Sequence, residues 1–153
     1  MQCATGCSEC CHVRLTITAV EAAAIRAHVA GWSRARRQDL GATGPRHHCA
    51  ALDSAGRCKI YDARPLVCRS HGVPIRLARK GLPVVQACHR NFVDTAPDPD
   101  CILDQTTLSA TLLAIDAAEA PPEARAGTGA QARAGAAVRR VELAGLLAEL
   151  AAI

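Results

Sequence analysis

Aromatic side chains are almost absent from this chain: one Phe, one Trp and one Tyr, with a single Met, in 153 residues. Large apolar side chains supply most of the burial that stabilises a core. Half of the residues count as hydrophobic, but much of that share is Ala and Cys. One domain is the expectation at this length, with a thin apolar core and room for an extra helix. No run of about 18 apolar residues occurs, which argues against a membrane-spanning helix. The N-terminus lacks a basic stretch followed by an apolar one, so no secretory signal peptide is expected. Nucleic-acid binding is not expected either. Stacking platforms are missing, and the densest basic run, Arg34-Ala35-Arg36-Arg37, reads as a solvated helix face. There is no Gly-rich phosphate loop, no Ser/His/Asp arrangement and no pair of acids on one expected face.

What the chain does have is nine cysteines. Four stand close together as Cys3, Cys7, Cys10 and Cys11, followed by Cys49, Cys58, Cys68, Cys88 and Cys101. With no secretory signal, clustered thiols point to a reducing, cytoplasmic setting, where they bind metal or do redox chemistry more often than they form disulfides. An odd total fits poorly with complete pairing. Charge supports metal. Residues 1–101 carry fourteen Lys/Arg against eight Asp/Glu, a net of +6, and residues 102–153 carry four against six, a net of −2. The basic part holds every cysteine, and nearby cations stabilise thiolates. A metal bound only by the folded chain would also offset the thin core.

In chain order, Val13, Leu15 and Ile17 alternate with Arg14, Thr16 and Thr18, which predicts a short half-buried strand. Thr18 and Glu21 form a capping box that opens a helix over 19–30, closed near Gly31. A second helical piece should reach Leu40, followed by a Gly/Pro turn. Asp53-Ser-Ala-Gly56 is turn chemistry and can bring Cys49 back to Cys58. Pro65 suits the start of a helical turn, with Cys68 one turn on. Residues 75–86 predict a hairpin around Lys80-Gly81. Asp104 caps a helix over 105–119, with Leu108, Leu112, Leu113 and Ile115 as its apolar positions. Pro121-Pro122 and the Gly/Ala/Arg stretch to Gly135 form a low-complexity connector. A last helix, over 136–151, places Val138, Val141, Leu146 and Leu150 near one stripe.

Zinc and iron–sulfur clusters both accept four thiolates. Eight cysteines would fill two tetrahedral sites; four or five would fill one. Cys3-x₃-Cys7-x₂-Cys10 has the spacing that holds the cluster of radical S-adenosylmethionine enzymes, but no βα series follows it. A zinc ribbon needs a second Cys-x₂-Cys knuckle, and Cys49-x₈-Cys58-x₉-Cys68 is not one. Cys7-x₂-Cys10 as a redox couple lacks a βαβ context. Which of Cys10 and Cys11 shares an ion with Cys7 is open at this level.

The whole constellation is more specific than any of these. Cys7-Ser-Glu-Cys10-Cys11, then Cys49, then Cys58-x-Ile-Tyr61-x-x-Arg64-Pro65-x-x-Cys68-Arg69, resembles the YkgJ-type cysteine-cluster family, the CxxCxxCC zinc- or iron-chelating domain. The resemblance runs from residue 3 to about 92. One departure is that three residues separate Cys3 from Cys7, where the family has two. The resemblance implies metal chelation. A related cysteine-rich region in flagellin lysine-N-methylases adds a second implied reading, an iron–sulfur redox component or an accessory to protein lysine methylation.

The expectations are therefore these. The fold class is α+β: a small, irregular, metal-stabilised domain over 1–119 with short strands, a hairpin and flanking helices. A connector over 120–135 and a C-terminal helix over 136–153 follow. The metal ligands are drawn from Cys7, Cys10, Cys11, Cys49, Cys58, Cys68, Cys88 and Cys3, holding zinc, iron or an iron–sulfur cluster. The partner is a metal ion, and the role is structural or metal-handling rather than enzymatic. Arg64 and Arg69 either face thiolates or pair with Asp62 and backbone carbonyls. Tyr61 is expected in the core. His71 is the histidine best placed to ligate, ahead of His12 and His89. His28, His47 and His48 are expected at the surface, and Cys101 as a simple buried or free thiol.

Overall fold

The computed structural model describes residues 2–41, 49–120 and 139–153. Their order is β1 (Thr16–Ile17), α1 (Ala19–Ala30), α2 (Arg34–Gly41), a 3₁₀ turn (Tyr61–Ala63), α3 (Leu66–Ser70), β2 (Ile75–Arg79), β3 (Leu82–Gln86), a second 3₁₀ turn (Pro99–Cys101), β4 (Leu103–Asp104), α4 (Gln105–Ala118), β5 (Val141–Glu142) and α5 (Leu143–Ala152). The α+β class holds, with two small sheets ordered β1-β5 and β3-β2-β4. His47 and His48 lie outside the described residues, as does the expected connector apart from Ala120.

Helix α1 begins where the sequence places it. Thr18 Oγ1 accepts from the Glu21 amide at 3.3 Å, and Glu21 Oε2 accepts from the Thr18 amide at 2.9 Å. The buried positions Ala22, Ile25 and Val29 fall on one face, and Gly31 ends the helix. That face, with Leu40 of α2, packs against Leu143, Leu146, Leu147 and Leu150 of α5. Full burial of a Leu or Ile contributes about 1.5–3 kcal/mol, so this three-helix contact is the main apolar reserve of the molecule.

The C-terminal helix starts later than the sequence suggests. Among the described residues, Val141 and Glu142 form a strand, and the Glu142 carboxylate caps α5 by accepting from the Gly145 amide at 3.1 Å. The strand expected over 12–18 shrinks to Thr16–Ile17 for the same reason: β5 offers only two residues before the helix begins. Leu143 donates to the Leu15 carbonyl at 3.0 Å and closes the junction. Val13, beyond it, is left exposed.

The hairpin turns on Lys80 and Gly81, both at positive φ (51° and 79°), which is the two-residue geometry that follows the strand twist. Pro83 sits on the outer strand, where a missing amide is tolerated. Strand β4 pairs in parallel with β2 and runs straight into α4, whose N-cap Asp104 accepts from Thr107 at 3.0 Å. Helix α4 matches its expected span but not its expected face. Leu108 and Leu112 are half-buried, whereas Leu113 and Ile115 are exposed. The buried residue is Asp116, which accepts from the Val20 amide at 2.8 Å and so helps cap α1. Backbone amides at a helix start draw a carboxylate more strongly than this helix draws apolar cover.

Candidate metal centre

The first four cysteines ride on an irregular strap of two tight turns, closed by Cys7 N–H to Ala4 O (3.0 Å) and Cys11 N–H to Ser8 O (2.8 Å). The Cys49 amide donates to the Cys11 carbonyl at 2.7 Å, which sets the double cysteine beside the second block. That block folds back as its turn residues predict. The Asp53 carboxylate accepts from the Ala55 and Arg57 amides (2.9 and 2.8 Å) and from the Arg57 guanidinium, and Leu52 bridges Cys58. These bonds, the Arg57 amide above all, hold the Asp53 carboxyl below its ordinary range. Gly56 is needed where the strap crosses this loop. It has φ +74°, and a Cβ there would stand 3.0 Å from Ser8 Oγ and 3.1 Å from the Gly6 carbonyl.

Cys68 is delivered by α3. Pro65 stands just before the first helical residue, and its carbonyl accepts from Cys68 N–H at 3.0 Å. The Leu66 amide donates to Glu21 Oε1 at 2.8 Å, so the glutamate that caps α1 also caps α3. Arg69 donates to the carbonyls of Arg64 and Asp62, which makes it a brace for the turn. Arg64 donates to the Tyr61 carbonyl at 3.1 Å and stacks its guanidinium 3.7 Å from the ring centroid. Tyr61 is 58% exposed, which corrects its expected place in the core. The ring pairs with a cation instead of burying.

Three thiols are raised by burial and by thiol neighbours. Burial first, then Cys10, Cys49 and Cys68, push the Cys11 thiol up to about 12 from 9.0. Burial and then Cys49 and Cys58 raise Cys68 to about 11, against the pull of Arg64. Cys58 is raised by burial and by Cys49, opposed by the Ile60 amide and Arg64. Cys10, Cys11, Cys49, Cys58 and Cys68 therefore share one neighbourhood, drawn from the strap, the 49–58 loop and α3. Like charges resist ionisation there, and a cation among them would reverse that. Among the described residues, no three His, Cys, Asp or Glu side chains already converge as metal ligands.

The other expected ligands have the following surroundings. Cys7 is half-buried within the strap. Cys3 is exposed, and its sulfur accepts from Asn91 Nδ2 at 3.5 Å. Cys88 is half-buried and lines, with His71, Gly72 and Gln105, a cavity of about 350 Å³. His89, with Arg90, pairs with Glu9 of the strap, and Cys101 is an exposed thiol. His28 is half-buried, with its ring edge to face on Trp32 at 5.4 Å. Sequence reasoning missed Asn91, which is 4% exposed in a loop. A lone Asn in a loop gives no periodic or spacing signal, and only its depth sets it apart.

Fold and site together define a small cysteine-cluster domain whose thiols are gathered from distant segments. The chain belongs to the CxxCxxCC family, whose model, described as a putative zinc- or iron-chelating domain, matches residues 2–89. No curated protein and no solved structure was found to match the chain. The family match ends before α4 and α5. Among the described residues, no helix is long and apolar enough to cross a membrane.

Proposed function

We propose that the chain chelates one zinc or iron centre through thiolates chosen from Cys10, Cys11, Cys49, Cys58 and Cys68, and that the centre takes the place of an apolar core in this half of the molecule. The observation that supports the reading is that backbone pairing gathers these segments, with the Cys49 amide on the Cys11 carbonyl and Leu52 bridged to Cys58, so that the thiols of Cys11, Cys58 and Cys68 are raised by burial and by thiol neighbours from distant parts of the chain. The set fits a thiophilic ion. Four thiolates complete a tetrahedral site, and the fifth is available as a neighbour or an alternative ligand. Binding requires side-chain rotation that draws the sulfurs together and the loss of their protons, so affinity rises with pH. Arg64 faces Cys58 and Cys68 and offsets part of the negative charge that four thiolates leave on a divalent ion. Cys3, Cys7 and Cys88 form the second tier of this reading, on the strap and at the cavity.

The role is metal handling or structural support, with the ion as ligand rather than as part of a catalytic site. Anaerobic purification followed by an absorbance spectrum and metal analysis tests it. A colourless protein with about one or two zinc ions supports a zinc chelate. A brown protein with stoichiometric iron and sulfide replaces that with an iron–sulfur cluster and a redox role. A folded, metal-free protein that takes up neither metal overturns chelation altogether.

A further inference from the structure

Among the described residues no three donor side chains converge, so Cys10 and Cys11 must shift against Cys49, Cys58 and Cys68 before an ion can be held. Both ride on the strap, residues 2–11, which rests on the second block where the Cys49 amide meets the Cys11 carbonyl. Two fasteners tie the strap to one turn, residues 88–91. The Gln2 amide donates to Asn91 Oδ1 at 2.6 Å. Glu9, next to Cys10, pairs with Arg90 and lies 3.4 Å from His89 Nε2. The turn itself is firmly held. Asn91 is buried, its amide donates to the Cys88 carbonyl at 2.8 Å, and its Nδ2 donates to the Gly72 carbonyl at 2.6 Å. The next residue, Phe92, has φ +60°, a left-handed conformation that bulky residues avoid. Backbone strain of this kind persists only where the surroundings over-determine it. The strap is the opposite case. Its tight turns bond within themselves, Cys7 to Ala4 and Cys11 to Ser8, and most of its residues are exposed. A segment with few buried contacts and exposed hydrogen bonds opens at low cost.

We infer that the strap is a hinged lid over the thiols, with its hinge at the Cys11–Cys49 bond and its latch at the 88–91 turn, and that release of the latch admits the ion. The part that concerns metal rests on the chelation reading above; the latch does not. Glu9 adjoins Cys10, so its pairing with Arg90 restrains the strap beside a thiol of the set. Both side chains are half exposed, and an exposed ion pair holds a segment only weakly, which suits a latch that opens for each ion. Arg90 and Asn91 lie just past the end of the family match at residue 89, so this latch belongs to the chain's own structure.

The test compares thiol labelling with zinc uptake. In the metal-free protein, iodoacetamide labelling of the half-buried Cys49 and Cys68, read by mass spectrometry, should speed up about 1.5- to 5-fold in Glu9→Gln, the range of an exposed ion pair. It should speed up further in Asn91→Ala, which loses buried bonds. Zinc uptake by the metal-free protein, followed with a chromophoric indicator of free zinc, should accelerate by the same factors. Arg26→Gln is the control. It breaks a similarly exposed ion pair with Glu149 in the helical half and should change neither rate. Unchanged labelling in Glu9→Gln, or an equal rise in Arg26→Gln, overturns the latch. Faster labelling with unchanged zinc uptake overturns the lid as the way in for metal. Glu9 is a surface side chain, so Glu9→Gln decides the matter even where Asn91→Ala does not fold. A wild type that takes up no zinc removes the chelation reading and the metal gate with it, while labelling still decides the latch.

Discussion

The molecule has two halves that solve the same problem differently. In the helical half, Ile25, Val29, Leu40, Leu146 and Leu147 are buried almost completely, on α1, α2 and α5. In the cysteine half, from residue 49 to 101, the buried apolar residues are Ala51, Leu52, Ile60, Pro65 and Pro74, and Ala51 and Ile60 among them pack into the helical cluster. Thiols, turns and a buried Asn occupy the remainder. The first half is stabilised by removing apolar surface from water, which needs no ligand. The second is tied by turn and cap hydrogen bonds, and its thiols resist ionisation beside one another.

The largest effect expected follows from removing metal. Chelation with excess EDTA should release amide protection in residues 49–101, while α1, α2 and α5 keep theirs, as read by hydrogen exchange. Uniform loss across both halves would break the comparison. Cys68→Ser should lower metal affinity by more than the roughly 10- to 100-fold typical of an outer partner, with little change in the protection of α5. Next in size is Leu147→Ala. It should cost about 2–5 kcal/mol in denaturant unfolding, by a similar amount with and without metal, because Leu147 is 1% exposed in the apolar cluster of α1, α2 and α5 and carries no metal-ligating atom.

Glu21 joins the halves, and its replacement sharpens the comparison. Glu21→Ala removes the capping-box acceptor of α1 and the cap of α3 together. It should cost about 0.5–2 kcal/mol and weaken metal binding as well, through Cys68. A stability loss with unchanged affinity would separate the halves completely.

The smallest effect is one of pH on the metal-free protein. The folded-state values of Cys11 and Cys68 lie above the ordinary 9.0, at about 12 and about 11. A thiol raised in this way favours the folded state fully below pH 9 and loses that contribution as pH climbs through the folded values. Thermal unfolding of the metal-free chain should therefore fall in temperature between pH 9 and pH 12, and Cys11→Ser should flatten the fall.

Local signals made much of the fold legible. Thr18 with Glu21, Lys80 with Gly81, and Asp104 each act within a few residues, and each was borne out as a cap or a turn. What could not be read are bonds between distant positions. The second oxygen of Glu21 reaches Leu66, Asp116 reaches Val20, and Asn91 reaches Gln2. The paired strands β1 and β5 are two residues each, too short to leave a periodic pattern. Tyr61 was misplaced because composition gives an aromatic residue a default place in the core, and only the neighbouring Arg64 offered the alternative. The candidate site was legible as a set of cysteines. Which of them are raised by thiol neighbours, Cys11, Cys58 and Cys68, needed the strap and the 49–58 loop in place.

The central claim is that thiolates of this five-membered set hold the ion. X-ray absorption at the edge of the bound metal reads it most directly. A zinc-loaded sample is predicted to show about four sulfur neighbours near 2.3 Å, and fewer in Cys68→Ser. A shell of nitrogen and oxygen near 2.0–2.1 Å, unchanged by Cys68→Ser, would contradict the account.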